Sequence, residues 1–348
     1  MVTLGQISLV VRAGLLWITG ALWFAKWQLQ KSGSVVVLTL HRVLTTEDAS
    51  ATCSLEGIVI SQTLFRGLCR YLVTNCQVVP ILGAEAGNVE AKLKVALTFD
   101  DGWRDNYTTA LPILQEYRLP STIFICPGLA GKTLPFWPER MVGMLRAQPE
   151  AKTGREIEIE IESWKHRAHD EREQFLEQLA KTAIKGPQES PEQPDSLMNW
   201  QETAEMAAQG VHFGSHTYRH EILTTIPVQA ASRELIQSKA EIEKALEITC
   251  DTLAYPNGDW SPAVWAATKS AGYSLAFSTQ RGAWTGQTDQ LAIPRANIYD
   301  GNVKGAFGGF SQAVLEYTTF WKSWRAMPVG RQDRETVGVR ETQREYIA

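Results

Sequence analysis

Val95-Ala96-Leu97-Thr98-Phe99-Asp100-Asp101-Gly102 is the stretch on which the reading of this chain turns. An apolar run of strand character delivers two adjacent carboxylates onto a glycine. Successive strand residues point to opposite sides, so both acids serve one site only where the strand ends and the backbone turns. Gly102 permits that turn. A second stretch, Phe213-Gly214-Ser215-His216-Thr217-Tyr218-Arg219-His220, answers it much later in the chain. Two imidazoles at a spacing of four, plus a carboxylate, make a three-ligand set for a divalent metal with positions left for water and substrate. Either half alone is weak: Asp-Asp-Gly is a common turn, and two histidines four apart can simply lie on a helix surface. Together, each directly after an apolar strand, they point to one face of a parallel sheet.

Outward from these stretches, buried strands and helices alternate. Val35-Val36-Val37-Leu38-Thr39-Leu40 ends in His41 and Arg42, and an apolar run that turns polar only at its end suits a parallel strand. Helices are expected over 61–75, 111–117, 200–209, 233–246 and about 263–271. Strands are expected over 121–126, 211–215, 252–255 and 273–278, and a last segment over 292–298. Between 136 and 200 the pattern changes: 156–162 alternates Glu and Ile, which reads as an exposed two-faced strand, and 170–185 as a charged helix. His166 and His169 sit there among charges and read as solvated. The expected fold is α/β, a distorted barrel of seven or eight strand–helix units. Its domain plan is an apolar or amphipathic helix at 1–30, a catalytic domain over 31–326 with an insertion at about 136–200, and a polar, disordered tail over 327–348.

Composition narrows the function classes. The 348 residues carry a formal charge of -4 with no basic block, which argues against nucleic acid as a partner. Five cysteines without a Cys-x-x-Cys pair read as reduced thiols. The apolar stretch Ile7–Phe24 is broken by Arg12 and short for a membrane span. It lacks a basic leading segment and a cleavage site, so it does not read as a secretory signal. A helix docked on the domain or on a membrane surface is the preferred reading. Lys26 and Lys31 behind it would keep the catalytic part cytoplasmic. The expected location is therefore cytoplasmic, with peripheral membrane association through residues 1–30.

Thr-Phe-Asp-Asp-Gly followed by His-Thr-x-x-His resembles the polysaccharide deacetylase family, the NodB-homology enzymes of carbohydrate esterase family 4. The resemblance covers roughly residues 35–300 and implies a (β/α)-type barrel and a metal-dependent hydrolase acting on carbon–nitrogen bonds. The implied substrate is an N-acetylated amino sugar in a polysaccharide or lipid-linked glycan precursor, as in exopolysaccharide biosynthesis. It implies Asp101, His216 and His220 as metal ligands, with Zn2+ first and Co2+ or Ni2+ as substitutes, and Asp100 as general base. Leu253-Ala254-Tyr255-Pro256-Asn257-Gly258 resembles the family's third motif, which implies Asn257, with Tyr255 and Pro256, in oxyanion and substrate contact. Two departures stand out. Ala254 occupies the slot of the motif arginine, and Arg295 is the expected replacement. No histidine follows His220, so the leaving-group acid or substrate contact is assigned to His41, whose neighbours resemble a Tyr-His-Arg-Val signature. Trp137, of the pair Phe136-Trp137, is expected either to wall the sugar cleft or to anchor the insertion. His212 is expected to be a hydrogen-bonded histidine, not a fourth ligand. The competing readings are an amidase of the same fold on a non-sugar bond, and a glycan-binding relative with little turnover.

Overall fold

The computed structural model describes residues 4–84, 86–133, 136–148, 152–167, 169–182 and 194–327. Seven strands carry the fold: β1 (Val35–Leu40), β2 (Lys94–Phe99), β3 (Thr122–Ile125), β4 (His212–Ser215), β5 (Thr252–Ala254), β6 (Leu275–Phe277) and β7 (Ala296–Asn297). They lie in the order β7-β1-β2-β3-β4-β5-β6, and every neighbouring pair is parallel. A short strand, Gln77–Val78, pairs with the start of β2. The expected barrel is thus present, and its seam is closed by the last segment. Ile293 forms a parallel bridge with Phe277 on β6, while Ala296 pairs with Leu38 on β1.

Strand alternation divides the core in two. Val35, Val37, Ala96, Phe124, Ala254, Phe277 and Ile293 pack together inside the barrel. Their sequence neighbours Val36, Leu38, Leu40, Val95, Leu97 and Phe99 pack outward against helices such as α3 (Gln62–Asn75). Both faces of β1 and β2 are buried along their whole length, which explains their β-branched, near-continuous apolar sequence. The inward parity also dictates what reaches the mouth. Counting by twos from Val37, Ala96, Gly214 and Ile293 arrives at His41, Asp100, His216 and Arg295. At Gly214 any Cβ would fall 2.7 Å from the Phe124 ring and 2.3 Å from the Thr252 hydroxyl. Only glycine fits there.

The insertion carries helices α4 (Trp137–Arg146), α5 (Gly154–Trp164) and α6 (His169–Thr182). The Glu/Ile alternation over 156–162, expected as a strand, is helical. Ile157 and Ile161, four apart, share a buried helical face with Met141, Val142, Leu145 and Leu176, while Ile159 points to solvent. The start of α5 is set by a reciprocal cap: Thr153 accepts from the Glu156 amide and Glu156 from the Thr153 amide. His166 is exposed; the His169 side chain lies outside the described residues. At the N-terminus the single expected helix is two, α1 (Leu4–Ile18) and α2 (Ala21–Lys31), bent by 73° across a left-handed Gly20. From residue 328 onward the expected tail lies outside the described residues.

Candidate active site

Asp100 ends the inward row of β2 and meets Arg295 as a fork. Arg295 Nη1 donates to Oδ1 at 2.8 Å and Nη2 to Oδ2 at 2.7 Å. The guanidinium is itself held by the Ser278 carbonyl and the Thr98 hydroxyl, and both partners are buried. Burial alone would raise the Asp100 pKa. The Arg295 charge, with His216 and His41, outweighs burial and holds it below the usual carboxylate value.

Asp101 should face outward by parity. Its backbone instead adopts φ 76°, a left-handed conformation uncommon for aspartate, and Gly102 follows at φ 80°. This turn brings the carboxylate back over the mouth. Trp103 Nε1 donates to Oδ2 at 2.8 Å. Oδ1, buried and without a hydrogen-bond partner, faces Nε2 of His216 at 3.4 Å and Nε2 of His220 at 3.3 Å. The three donor atoms lie within 4.8 Å of one another, the one such His/Cys/Asp/Glu group among the described residues. His216 Nδ1 donates to the Ala254 carbonyl at 2.8 Å, which turns the Nε2 lone pair towards Asp101. His220, at φ 64°, is braced by the Phe136 ring at 4.8 Å. Burial raises the Asp101 pKa and lowers that of His216; the His216 and His220 imidazoles outweigh it at the acid, and the Asp100 charge, then Asp101, outweigh it at His216, leaving the acid well below and the imidazole above their usual values.

His41 follows β1 with its Nδ1 buried and unpartnered among the described residues. Burial pushes its pKa down against the opposing pull of Asp101 and Asp100. The Tyr255 side chain is committed to the core, its hydroxyl donating to the Leu291 carbonyl at 2.9 Å, which leaves only its backbone for the expected oxyanion or substrate contact. Pro256 is buried, and Asn257 takes φ 58° in the turn after β5. Its side-chain nitrogen donates to Asp259 and its backbone carbonyl accepts from the Thr279 hydroxyl. Trp137 packs under the Arg172 guanidinium at 5.2 Å, and it is Phe136 that packs against His220 and Trp103. His212, at the other end of β4, bonds the Thr252 hydroxyl at 3.2 Å.

Sequence reasoning missed the scaffold beneath the acids. Arg42, fully buried, donates to Asp105 at 2.9 Å, to Thr52 at 2.8 Å and to Ser54 at 2.9 Å, and pairs with Asp195. Its guanidinium lies 4.2 Å over the Trp103 ring that holds Asp101. Ser54 also donates to Glu139, whose pKa burial and then the Asp101 charge push up to about 8. The one local signal was an arginine in an otherwise buried strand, which requires buried acids somewhere.

A parallel barrel with its carboxylate–imidazole pocket at the carboxyl ends of the strands has the layout of an α/β-barrel enzyme. The family profile described as polysaccharide deacetylase matches residues 87–276, and the chain belongs to that family. YxkH of Bacillus subtilis (strain 168), named as a candidate polysaccharide deacetylase, is 23% identical over 220 residues. That match takes in 63% of this chain and 57% of YxkH, so the chain spans a little over half of that relative. The Streptococcus pyogenes deacetylase PplD shares the fold at a TM-score of 0.56 and 18% identity, over 82% of this chain and 98% of its own. IcaB from Ammonifex degensii does so at 0.52 and 20%, over 76% and 92%.

Proposed function

We propose that the chain is a metal-dependent de-N-acetylase of N-acetylated amino sugars in a polysaccharide or lipid-linked glycan precursor. The observation that carries this reading is the division of labour between adjacent acids. Asp101 Oδ1 is buried, unpartnered and opposed by two Nε2 atoms, a donor set that fits a divalent cation. Asp100 stands outside that set, gripped by Arg295. Two imidazoles and a carboxylate favour Zn2+, with Co2+ or Ni2+ as substitutes. Such a cation, when bound, lowers the pKa of water and polarises the acyl oxygen.

The chain's own groups do the rest. Asp100, ionised at neutral pH and oriented by Arg295, accepts a proton from the attacking water. As the C–N bond of the acetamide breaks, that proton is delivered to the departing amine, and acetate and free amino sugar result. The backbone turn at Asn257 is assigned to the developing oxyanion. His41, with its Nδ1 buried and unpartnered among the described residues, is assigned to the leaving group or to a substrate contact. Acetate release from an N-acetylglucosamine oligomer panel tests the proposal, with the protein metal-stripped and then repleted. Activity should require metal and fall roughly 10²–10⁴-fold in Asp100→Asn. No acetate release with any of the three metals would overturn it; turnover confined to non-sugar amides would move the chain to the amidase reading.

A further inference from the structure

We infer that α1 and α2 form an interfacial platform that seats the barrel on a bilayer surface rich in anionic phospholipid. Leu4, Ile7, Val11, Leu15 and Ile18 recur at steps of three and four, so they line one face of α1. That face is turned away from the protein: all five side chains are 50–86% exposed. The opposite side of the pair is already used. Ala13, Leu22, Ala25 and Leu29 are buried, and Gln6 donates to the Lys304 carbonyl. On α2 the outer face is aromatic: Trp23 and Trp27 stack with centroids 6.4 Å apart, Phe24 lies beside Trp27 at 5.8 Å, and all three are exposed. Trp17 and Trp23 line a common recess, so the two helices present their indoles together.

Charge selects the occupant. From residue 4 to residue 31 there is no Asp or Glu, while Arg12 and Lys31 are both exposed. Lys26 is excluded from the count because Tyr71 and Glu316 hold it. An apolar stripe flanked by tryptophan and by cations alone is the pattern of a helix lying in the headgroup region, apolar side inward. A second copy of the chain would bury the stripe equally well but would bring Arg12 and Lys31 towards their own kind. No single helix among the described residues is long and apolar enough to span a bilayer, and the pair is bent by 73° with its inner side packed on the helical segment 312–325. Taken together the two helices have the length and apolarity of a broken span, so resistance to carbonate extraction is the outcome that separates insertion from the surface seat inferred here.

The test is co-sedimentation of the full chain with phosphatidylcholine vesicles, with and without 30% phosphatidylglycerol. The inference expects binding to the anionic vesicles and release by high salt. Arg12→Gln with Lys31→Gln should cost about fivefold in partition for each charge removed. Ile7→Asp with Leu15→Asp should abolish binding while the thermal midpoint and the chelator-induced thermal shift stay unchanged, which separates a lost surface from a lost fold. Failure to bind anionic vesicles overturns the inference. So does equal binding to neutral vesicles, resistance to carbonate extraction, or a dimer that the aspartate variant dissolves without any vesicle binding in the wild type.

Discussion

Replacing Arg295 with methionine tests the site most severely, because it leaves the Asp100 carboxylate in place and removes only what stands behind it. In the native chain Asp100 is buried, and its two oxygens are covered by the two terminal nitrogens of one guanidinium. Burial raises its pKa; the Arg295 charge is the largest opposing influence, and the net result lies below the usual value of 3.8. A depressed carboxylate contributes stability above its unfolded-chain pKa and loses that contribution as pH falls through the folded value. In Arg295→Met burial prevails, the folded pKa rises above the unfolded one, and the sign inverts. Stability is then greatest below about pH 4 and declines as pH rises. Breaking one side of a buried pair costs about 3–5 kcal/mol, read here at pH 7 by urea denaturation. The acid limb of kcat/KM for deacetylation should move upward in the same variant. Arg295→Lys should recover less than half of either loss, since a single ammonium cannot reproduce the fork or also reach Ser278 and Thr98. A loss under about 1 kcal/mol with an unshifted acid limb would refute the argument.

Three further outcomes are expected. Trp103→Phe keeps the ring beneath Arg42 but removes the bond to Asp101 Oδ2, so Zn2+ affinity measured by chelator competition should weaken about 10–100-fold; an unchanged affinity would show that Trp103 is packing only. His41→Ala should lower turnover while metal content by mass spectrometry stays at the wild-type level, and wild-type turnover would remove His41 from the mechanism. Glu139, raised from 4.5 to about 8, contributes stability that is complete below pH 4.5 and is lost as pH climbs through 8. The wild-type urea midpoint should therefore fall between those values, and more steeply than that of Glu139→Gln; parallel curves would mean that the buried acid is not the cause.

What could be read from the sequence is what local chemistry writes locally. A strand sealed on both faces must be apolar throughout, so the first polar residues after Leu40, Phe99 and Ser215 announce the strand ends and, in a parallel barrel, a shared mouth. The expected partnership of Asp100 and Arg295 rested on a missing cation at Ala254, and the structure brings the two together. The misreading of 156–162 has an equally local cause: isoleucine at every second position also places Ile157 and Ile161 one helical turn apart, and the Thr153 cap that settles the choice lies outside the repeat. Neither Arg42 nor Glu139 could be interpreted without the fold. Their partners Asp105, Asp195 and Ser54 come from separate loops, and only three-dimensional packing makes those charges neighbours. Gly20 was likewise invisible as a break, since a lone glycine in an apolar helix is tolerated as often as it bends one.

The seam of the barrel has a consequence for how the protein comes into being. The segment that bridges β6 to β1 also carries Arg295, whose contact with Asp100 joins positions 195 residues apart. A chain emerging from the ribosome carries Asp101, His216 and His220 before Arg295, because the arginine arrives with the final staves. The Asp100–Arg295 fork and the closure of the ring therefore form together.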